Sequence, residues 1–481
     1  MRKGLIALAA MLCVFGLSGC SKNQTPGEAR DEKYLVEDYK VYYYDTPDEF
    51  MDFLGGSTEL RSIEQAGLIL DVLSIGSVAD LVNKLFFENI VGGEFARIRI
   101  ERHNFQYKSL DGEGNPIILS GTLVLPSSAN KDVPHRLDDI TLCHPWYMTN
   151  EECPSVDGNL VMYRAVYNEA VIIPDSQGMG TTYGLYKPPF TEWPQLARQT
   201  IDCELAALEL MKDLNVTLAK DYVTKGMAMS KGAPVMVEVQ RMLENTEPAW
   251  IRNLIRLEST YSACGPYDTF GMFTDTQTWD ADPTDMWALL LLINSAYYAH
   301  PSEFRNFRLS DFYSDEFNSF KVSDGKGGEY TLADQISDKF DVDRGKFEES
   351  GLDAVAKILN PRFFREDGSF NEDDALVSRF FKILKSNNPT VGWTPKARIL
   401  LEHSMIDHIA AYKYSSESYK DLKTDDRGIS NPNVAQHVYS SLSHGTISSM
   451  AVGRMMILEN PAYESIIDNL DLEALMEELP F

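Results

Sequence analysis

The sequence predicts an α/β protein: a mostly parallel sheet with helices on both faces, interrupted by an inserted helical cap. Three observations carry this expectation. Short apolar runs of strand length alternate with helical stretches over residues 96–269 and again over 391–481. That alternation is the rhythm of β-α-β units whose strands are buried on both sides. A β-hairpin opens the first block. Between residues 270 and 390 the rhythm stops and a polar, helical stretch replaces it, as expected of a cap over one edge of the sheet.

The elements follow in order. Residues 46–95 read as a mostly helical N-terminal segment, with Phe50, Phe53 and Leu54 on one stripe. Ala96–Ile100 alternates as a strand, Asp111–Pro116 is a turn, and Ile117–Leu125 is the returning strand. Ile140–Cys143 and Ala170–Pro174 are short buried strands, the second running into Asp175 and a loop with Gly178 and Gly180. Gln195–Leu214 is an amphipathic helix carrying Ile201, Leu205, Leu208 and Met211. Tyr222–Met229 is a strand and Ala233–Leu243 a helix; Ala397–Leu401 and Val434–Tyr439 are further strands.

Composition narrows the function. With 481 residues the chain can bury a sizeable core, and 44% hydrophobic with 24% charged residues excludes general disorder. A net charge of −28 repels phosphate backbones, so nucleic acid is no expected partner.

The N-terminus is a separate text. Arg2-Lys3 is followed by an uncharged apolar run, Gly4–Leu17, too short to span a bilayer and typical of a secretion signal. Its ending, Leu17-Ser18-Gly19-Cys20, resembles the bacterial lipoprotein signal. The resemblance implies that residues 1–20 are a signal and that Cys20 is lipidated as the mature N-terminus. The expectation is an exported, membrane-anchored protein, with the outer membrane the expected site. Residues 21–45 then read as a polar tether. Four later cysteines, Cys143, Cys153, Cys203 and Cys264, allow three full pairings, and their spacing fits no zinc pattern.

The segment that carries chemistry is Gly226-Met227-Ala228-Met229-Ser230-Lys231-Gly232-Ala233-Pro234. A strand runs directly into Ser230 and a helix begins just after it. So sharp a turn requires small residues two before and two after its centre, and Ala228 and Gly232 meet that need. The turn presents the Ser230 hydroxyl at a helix N-terminus, and the Lys231 N–H can stabilise an oxyanion beside it. Ser441-Leu442-Ser443-His444-Gly445 matches the same spacing, but too little chain remains behind it for an acid and a base. A serine nucleophile needs a base, and the base an orienting carboxylate. Asp407 follows the strand that begins at Ala397. His444 follows the strand Val434–Tyr439, whereas His408 adjoins Asp407 and His437 lies mid-strand.

Here the chain resembles the α/β-hydrolase superfamily, and within it the secreted lipase and esterase-like members of bacteria. The resemblance runs from about Ile98 to Leu458. It rests on the hairpin with Ser120-Gly121-Thr122-Leu123, on Val171-Ile172-Ile173-Pro174-Asp175, on Cys264-Gly265-Pro266-Tyr267-Asp268, and on His403-Ser404-Met405-Ile406-Asp407. It implies Ser230 as nucleophile, Asp407 as acid and His444 as base, with no cofactor. The departures are Ala228 and Ser404 where glycine is usual, and His144-Pro145-Trp146 where His-Gly is usual. Pro145 has no N–H to give, so the second oxyanion donor falls to Trp146 or Tyr147.

The expected activity is therefore a serine hydrolase cutting a carboxylic ester, small-molecule or lipid, through an acyl-enzyme. A serine peptidase of the same fold and a non-catalytic, ligand-binding lipoprotein are the alternatives. Asp175 reads as a loop cap. His403, Asp407 and His408 complete no metal pattern, and Asp341–Gly345 lacks the full calcium-loop pattern. Trp279, Trp287, Tyr297 and Tyr298 read as cap packing, with an acyl pocket as the alternative.

Overall fold

A computed structural model of the chain describes residues 33–56, 98–128, 136–147, 149–275, 283–323, 329–331, 355–407, 410–424 and 427–440. The signal, Cys20, His408, Trp279 and the Ser443–His444 segment lie outside the described residues.

The strands in chain order are β1 (Leu35–Tyr44), β2 (Ile98–Leu110), β3 (Pro116–Ser128), β4 (Arg136–Leu137), β5 (Asp139–Cys143), β6 (Glu169–Pro174), β7 (Thr217–Leu218), β8 (Thr224–Met229), β9 (Leu257–Ala263), β10 (Lys321–Ser323), β11 (Glu329–Thr331), β12 (Arg398–Ser404) and β13 (Val434–Tyr439). Nine of them form one sheet, in the order β1-β2-β3-β6-β5-β8-β9-β12-β13. The pairs β1·β2, β2·β3 and β3·β6 are antiparallel, and every pair from β6 onward is parallel.

Side chains of the central strands alternate between two cores. Ile140 and Leu142 of β5, and Ala170 and Ile172 of β6, face one core. Cys143, Val171 and Ile173 face the other. The first core is covered by helices α2 (Trp193–Asp213) and α3 (Gly232–Asn245) through Leu196, Ile201, Val235 and Met236. The second is covered by helix α1 (Pro47–Gly55), through Phe50 and Leu54, and by a 3₁₀ segment, Leu160–Tyr167. A parallel strand covered on both sides has no solvent face, which is why these runs read as continuously apolar.

Two expectations change. The stretch Leu35–Tyr44, read as tether, is strand β1 instead. Its pattern is polar because it is an edge strand with little to bury: after Leu35 most of it is half-buried or exposed. It is held by main-chain pairing with β2 and by the Glu209 carboxylate of α2, which accepts from the N–H groups of Tyr34 and Leu35. The cap, expected to be polar and helical, also contains the short ribbon β10–β11 and an aromatic core of its own. Phe273 lies 4.9–6.1 Å from the rings of Phe363, Phe370, Phe380 and Phe381, contacts that stabilise by about 0.5–1.5 kcal/mol each beyond burial. Tyr297 packs on Phe304 and Phe312 within this cap core.

The cap is bonded to the start of α2 and to the β2–β3 turn. Thr191 donates its N–H to Ser295 Oγ (3.1 Å), and Asn387 accepts from the Trp193 N–H (2.8 Å) while its amide donates to Thr191 O. His300 Nε2 pairs with Glu192 (2.9 Å), and Ser302 N–H donates to Glu113 (3.0 Å). Cys143, Cys153, Cys203 and Cys264 are buried and not disulfide-bonded, so none of the three pairings forms. No helix among the described residues is long and apolar enough to cross a membrane.

Candidate active site

The site is built at the C-terminal edge of the parallel strands. β5 has β6 on one side and β8 on the other. The chain therefore leaves β5 in one direction and returns through α2 to its opposite flank. Loops diverge at such a reversal and leave a crevice at the strand ends. Two segments meet there: residues 144–147 after β5, and Ser230 after β8.

Ser230 has φ +48°, one of four described non-glycine residues in the left-handed region. Its N–H still donates to Ala263 O of β9 (2.8 Å), and its own carbonyl accepts from the Ala233 N–H (3.0 Å). Strand pairing thus continues to the serine and helix bonding begins at it, with no residue between. Holding a serine in this conformation costs about 1–3 kcal/mol, and such strain persists where surrounding structure enforces it, commonly at functional sites. The requirement for small neighbours is visible in the packing. A Cβ on Gly232 would lie 3.3 Å from the Ala228 Cβ and would overlap the His144 carbonyl oxygen.

That overlap shows how closely the loop after β5 crosses the turn at Ser230. The loop is fixed at several further points. Thr200 Oγ1 gives its proton to Leu196 O (2.8 Å), so it accepts from His144 Nδ1–H at 3.0 Å. His144 Nε2 is left as a buried nitrogen without a partner. Burial, with the neighbouring Lys231 charge, pushes this imidazole well below the usual histidine range, so the ring is neutral. Tyr147 Oη accepts from the Ser176 N–H at 2.5 Å. Trp146 packs half-buried against the core beneath.

Lys231 contributes more than the backbone N–H expected of it from the sequence. Its N–H precedes the first turn of α3 and so has no intrahelical acceptor. Its side chain is buried, donates from Nζ to Tyr147 O (3.0 Å), and sits 4.2 Å from the Phe190 ring centroid and 4.8 Å from that of Tyr147. Burial pushes its pKa down to about 7, with Glu152 pulling the other way. A lysine amid small residues, Ser-Lys-Gly-Ala, gave no sequence signal for this.

Asp407 follows β12 and is nearly inaccessible. Its N–H donates to Ser404 O (3.3 Å), its Oδ1 accepts from Ala410 N–H (2.9 Å), and its Oδ2 lies 3.3 Å from His403 Nε2. His403, fully buried, also bonds Ala410 O at 2.6 Å, so strand and loop are locked together around the carboxylate. β12 is separated from β8 by β9 alone, and β13, which leads toward His444, pairs with β12. Because these strands run parallel, Ser230, Asp407 and the C-terminal end of β13 lie at the same edge. His437 is half-buried in β13 with its ring on Tyr439, 4.5 Å between centroids. Among the described residues no cluster of His, Cys, Asp and Glu could hold a metal.

Asp175, at the end of β6, caps its loop. It accepts from Ser120 Oγ (2.6 Å) and from the Ser155 N–H (3.2 Å), and Ser120 Oγ accepts in turn from the Thr181 N–H. Gly180, at φ +55°, passes so close that any Cβ would strike the Asp175 carboxylate.

The sequence matches no family model, and no curated protein is similar to it at a significant level. Solved structures are similar. The rice cell wall degrading esterase LipA from Xanthomonas oryzae superposes with a TM-score of 0.57 at 18% identity, covering 82% of this chain and 95% of that one. A putative hydrolase from Legionella pneumophila superposes with a TM-score of 0.55 at 18% identity, covering 76% and 90%. At such identity the likeness speaks for architecture. Taken with the strand order and the strained serine between β8 and α3, it establishes that this chain has the α/β-hydrolase fold.

Proposed function

We propose that the protein is a serine hydrolase that cleaves carboxylic esters at Ser230. The observation that carries this reading is the φ of +48° at Ser230 between a buried strand and a helix, with the loop of residues 144–147 packed against the same turn. Strain of this kind in a serine has a use when the hydroxyl must stand clear of the sheet edge. The esterase named among the structural neighbours supports the choice of ester chemistry.

In this reading Ser230 Oγ attacks the ester carbonyl carbon while His444 accepts the hydroxyl proton. Asp407, held by Ala410 and His403, orients the imidazole and stabilises its charged form. The tetrahedral oxyanion is bound by the Lys231 N–H and by an N–H of the loop at Trp146. The carbon–oxygen bond to the alcohol then breaks, and His444 returns the proton to the departing alkoxide. Water, deprotonated by His444, releases the acid from the acyl-enzyme.

The test is hydrolysis of 4-nitrophenyl esters of graded chain length beside dipeptide amides, with fluorophosphonate labelling of the same preparations. Ser230→Ala is expected to abolish labelling and to lower kcat by roughly a millionfold. A wild-type chain that neither labels nor turns over esters refutes the reading and favours a binding protein. Cleavage of dipeptides in preference to esters makes the enzyme a peptidase.

A further inference from the structure

The loop that must supply the second oxyanion donor contains Pro145, which has no N–H, so its remaining N–H groups need accurate placement. The side chain of Lys231 grips that loop. It reaches from the residue after the nucleophile to the Tyr147 carbonyl, 3.0 Å away, and passes between the faces of Tyr147 and Phe190. An apolar side chain of similar length would fill this slot without the cost of burying an ammonium. A polar group retained in an apolar slot beside a nucleophile calls for a role beyond packing. The groups acting on it are known: Glu152 favours its charge, and the buried His144 ring and the Tyr147 hydroxyl lie on the loop it holds.

We propose that the Lys231 side chain is a positioning residue for the oxyanion site, clamping the loop of residues 144–147 onto the nucleophile turn. The clamp deepens the ester-hydrolase reading and rests on it. One residue then serves the site twice: its N–H stabilises the oxyanion, and its Nζ, donating to Tyr147 O, fixes the peptide planes beside the other donor. The His144 carbonyl against Gly232 sets how near the loop approaches, and the Lys231 bond to Tyr147 O sets how it is rotated. The bond is made before substrate arrives, so the interaction is pre-organised.

The experiment uses the full chain with 4-nitrophenyl butyrate as substrate and an alkyl boronic acid as a tetrahedral adduct former. Lys231→Met is expected to lower kcat by about 10- to 100-fold, the scale of a displaced donor, with KM unchanged within about twofold. Affinity for the boronic acid is expected to fall in parallel with kcat/KM, because both depend on the tetrahedral geometry. Lys231→Gln, which keeps an N–H donor on a shorter arm, is expected to lie between Met and wild type. It also serves as the deciding variant if the Met protein does not fold. A Met or Gln variant with wild-type kcat overturns the clamp, as does a rise in KM with boronic acid affinity unchanged. A wild-type chain without esterase activity or fluorophosphonate labelling overturns the ester-hydrolase reading and the clamp with it. An active wild type with an undiminished variant overturns the clamp alone.

Discussion

The carbonyl oxygen of His144 occupies the space that a side chain on Gly232 would need. Gly232 opens helix α3, where alanine normally stabilises relative to glycine by about 1 kcal/mol. Here the obstacle is a backbone atom in a loop tied down by Thr200 and Lys231, so it cannot step aside as a flexible side chain would. Gly232→Ala is therefore expected to reverse the usual sign. It should destabilise by about 1–3 kcal/mol through overpacking and push the loop away from Ser230. Urea unfolding and kcat report the two effects separately, with kcat expected to fall at least about tenfold. A variant with raised stability and unchanged kcat contradicts the close approach.

Strand β1 is latched to β2 by His103, whose Nδ1 lies 2.8 Å from Asp38 of β1 and whose Nε2 lies 3.4 Å from Glu101. Burial works against the charged ring, but the hydrogen bonds to Asp38 and Glu101 outweigh it and raise the pKa to about 8. The folded state holds a proton that the unfolded chain releases near pH 6.5, so the stabilisation is complete below that and is lost as pH rises through about 8. The amount is on the order of 2 kcal/mol. Asp38→Asn removes a partner and is expected to flatten the pH dependence of Tm between pH 6 and 9. An unchanged slope in that variant shows that the latch does not titrate.

The sheet was legible wherever burial was two-sided. Val171-Ile172-Ile173 and Ile140–Cys143 announce themselves because both faces of each strand meet a core. Ser230 was legible because Ala228 and Gly232 frame it, and the structure shows why position 232 must be small: a Cβ there would meet the His144 carbonyl oxygen and the Ala228 Cβ. β1 was not legible, since main-chain pairing with β2 and a carboxylate from α2 hold it with little help from apolar side chains. The cap's core was not legible either. Phe273, Phe312, Phe363 and Phe380 are scattered among polar residues and converge only in three dimensions. Lys231 marks a further limit: a charge that reads as solvated in one dimension lies buried on a loop brought from another strand.

Glu204, on α2, gives a test of the fold independent of the site. Its carboxyl is fully buried and accepts from Thr224 Oγ1 (2.7 Å) at the first residue of β8, the end of that strand opposite Ser230. Burial raises its pKa to about 8, the Thr224 bond offsetting only part of the effect, so the group is largely protonated at neutral pH. Between the ordinary carboxyl range near 4.5 and about 8 the folded state keeps a proton that the unfolded state has lost. Stability is consequently greatest below that window and falls as pH rises through it, by several kcal/mol in order of magnitude. Glu204→Gln has nearly the same shape and cannot ionise. The variant is expected to match wild type near pH 5, to exceed its Tm increasingly toward pH 8, and to keep wild-type kcat throughout. Thermal unfolding at half-unit pH steps reads the difference directly. A Tm difference independent of pH means that the carboxyl is already ionised in the folded protein, and then the packing of α2 on β8 must admit water or a cation at that end of the sheet.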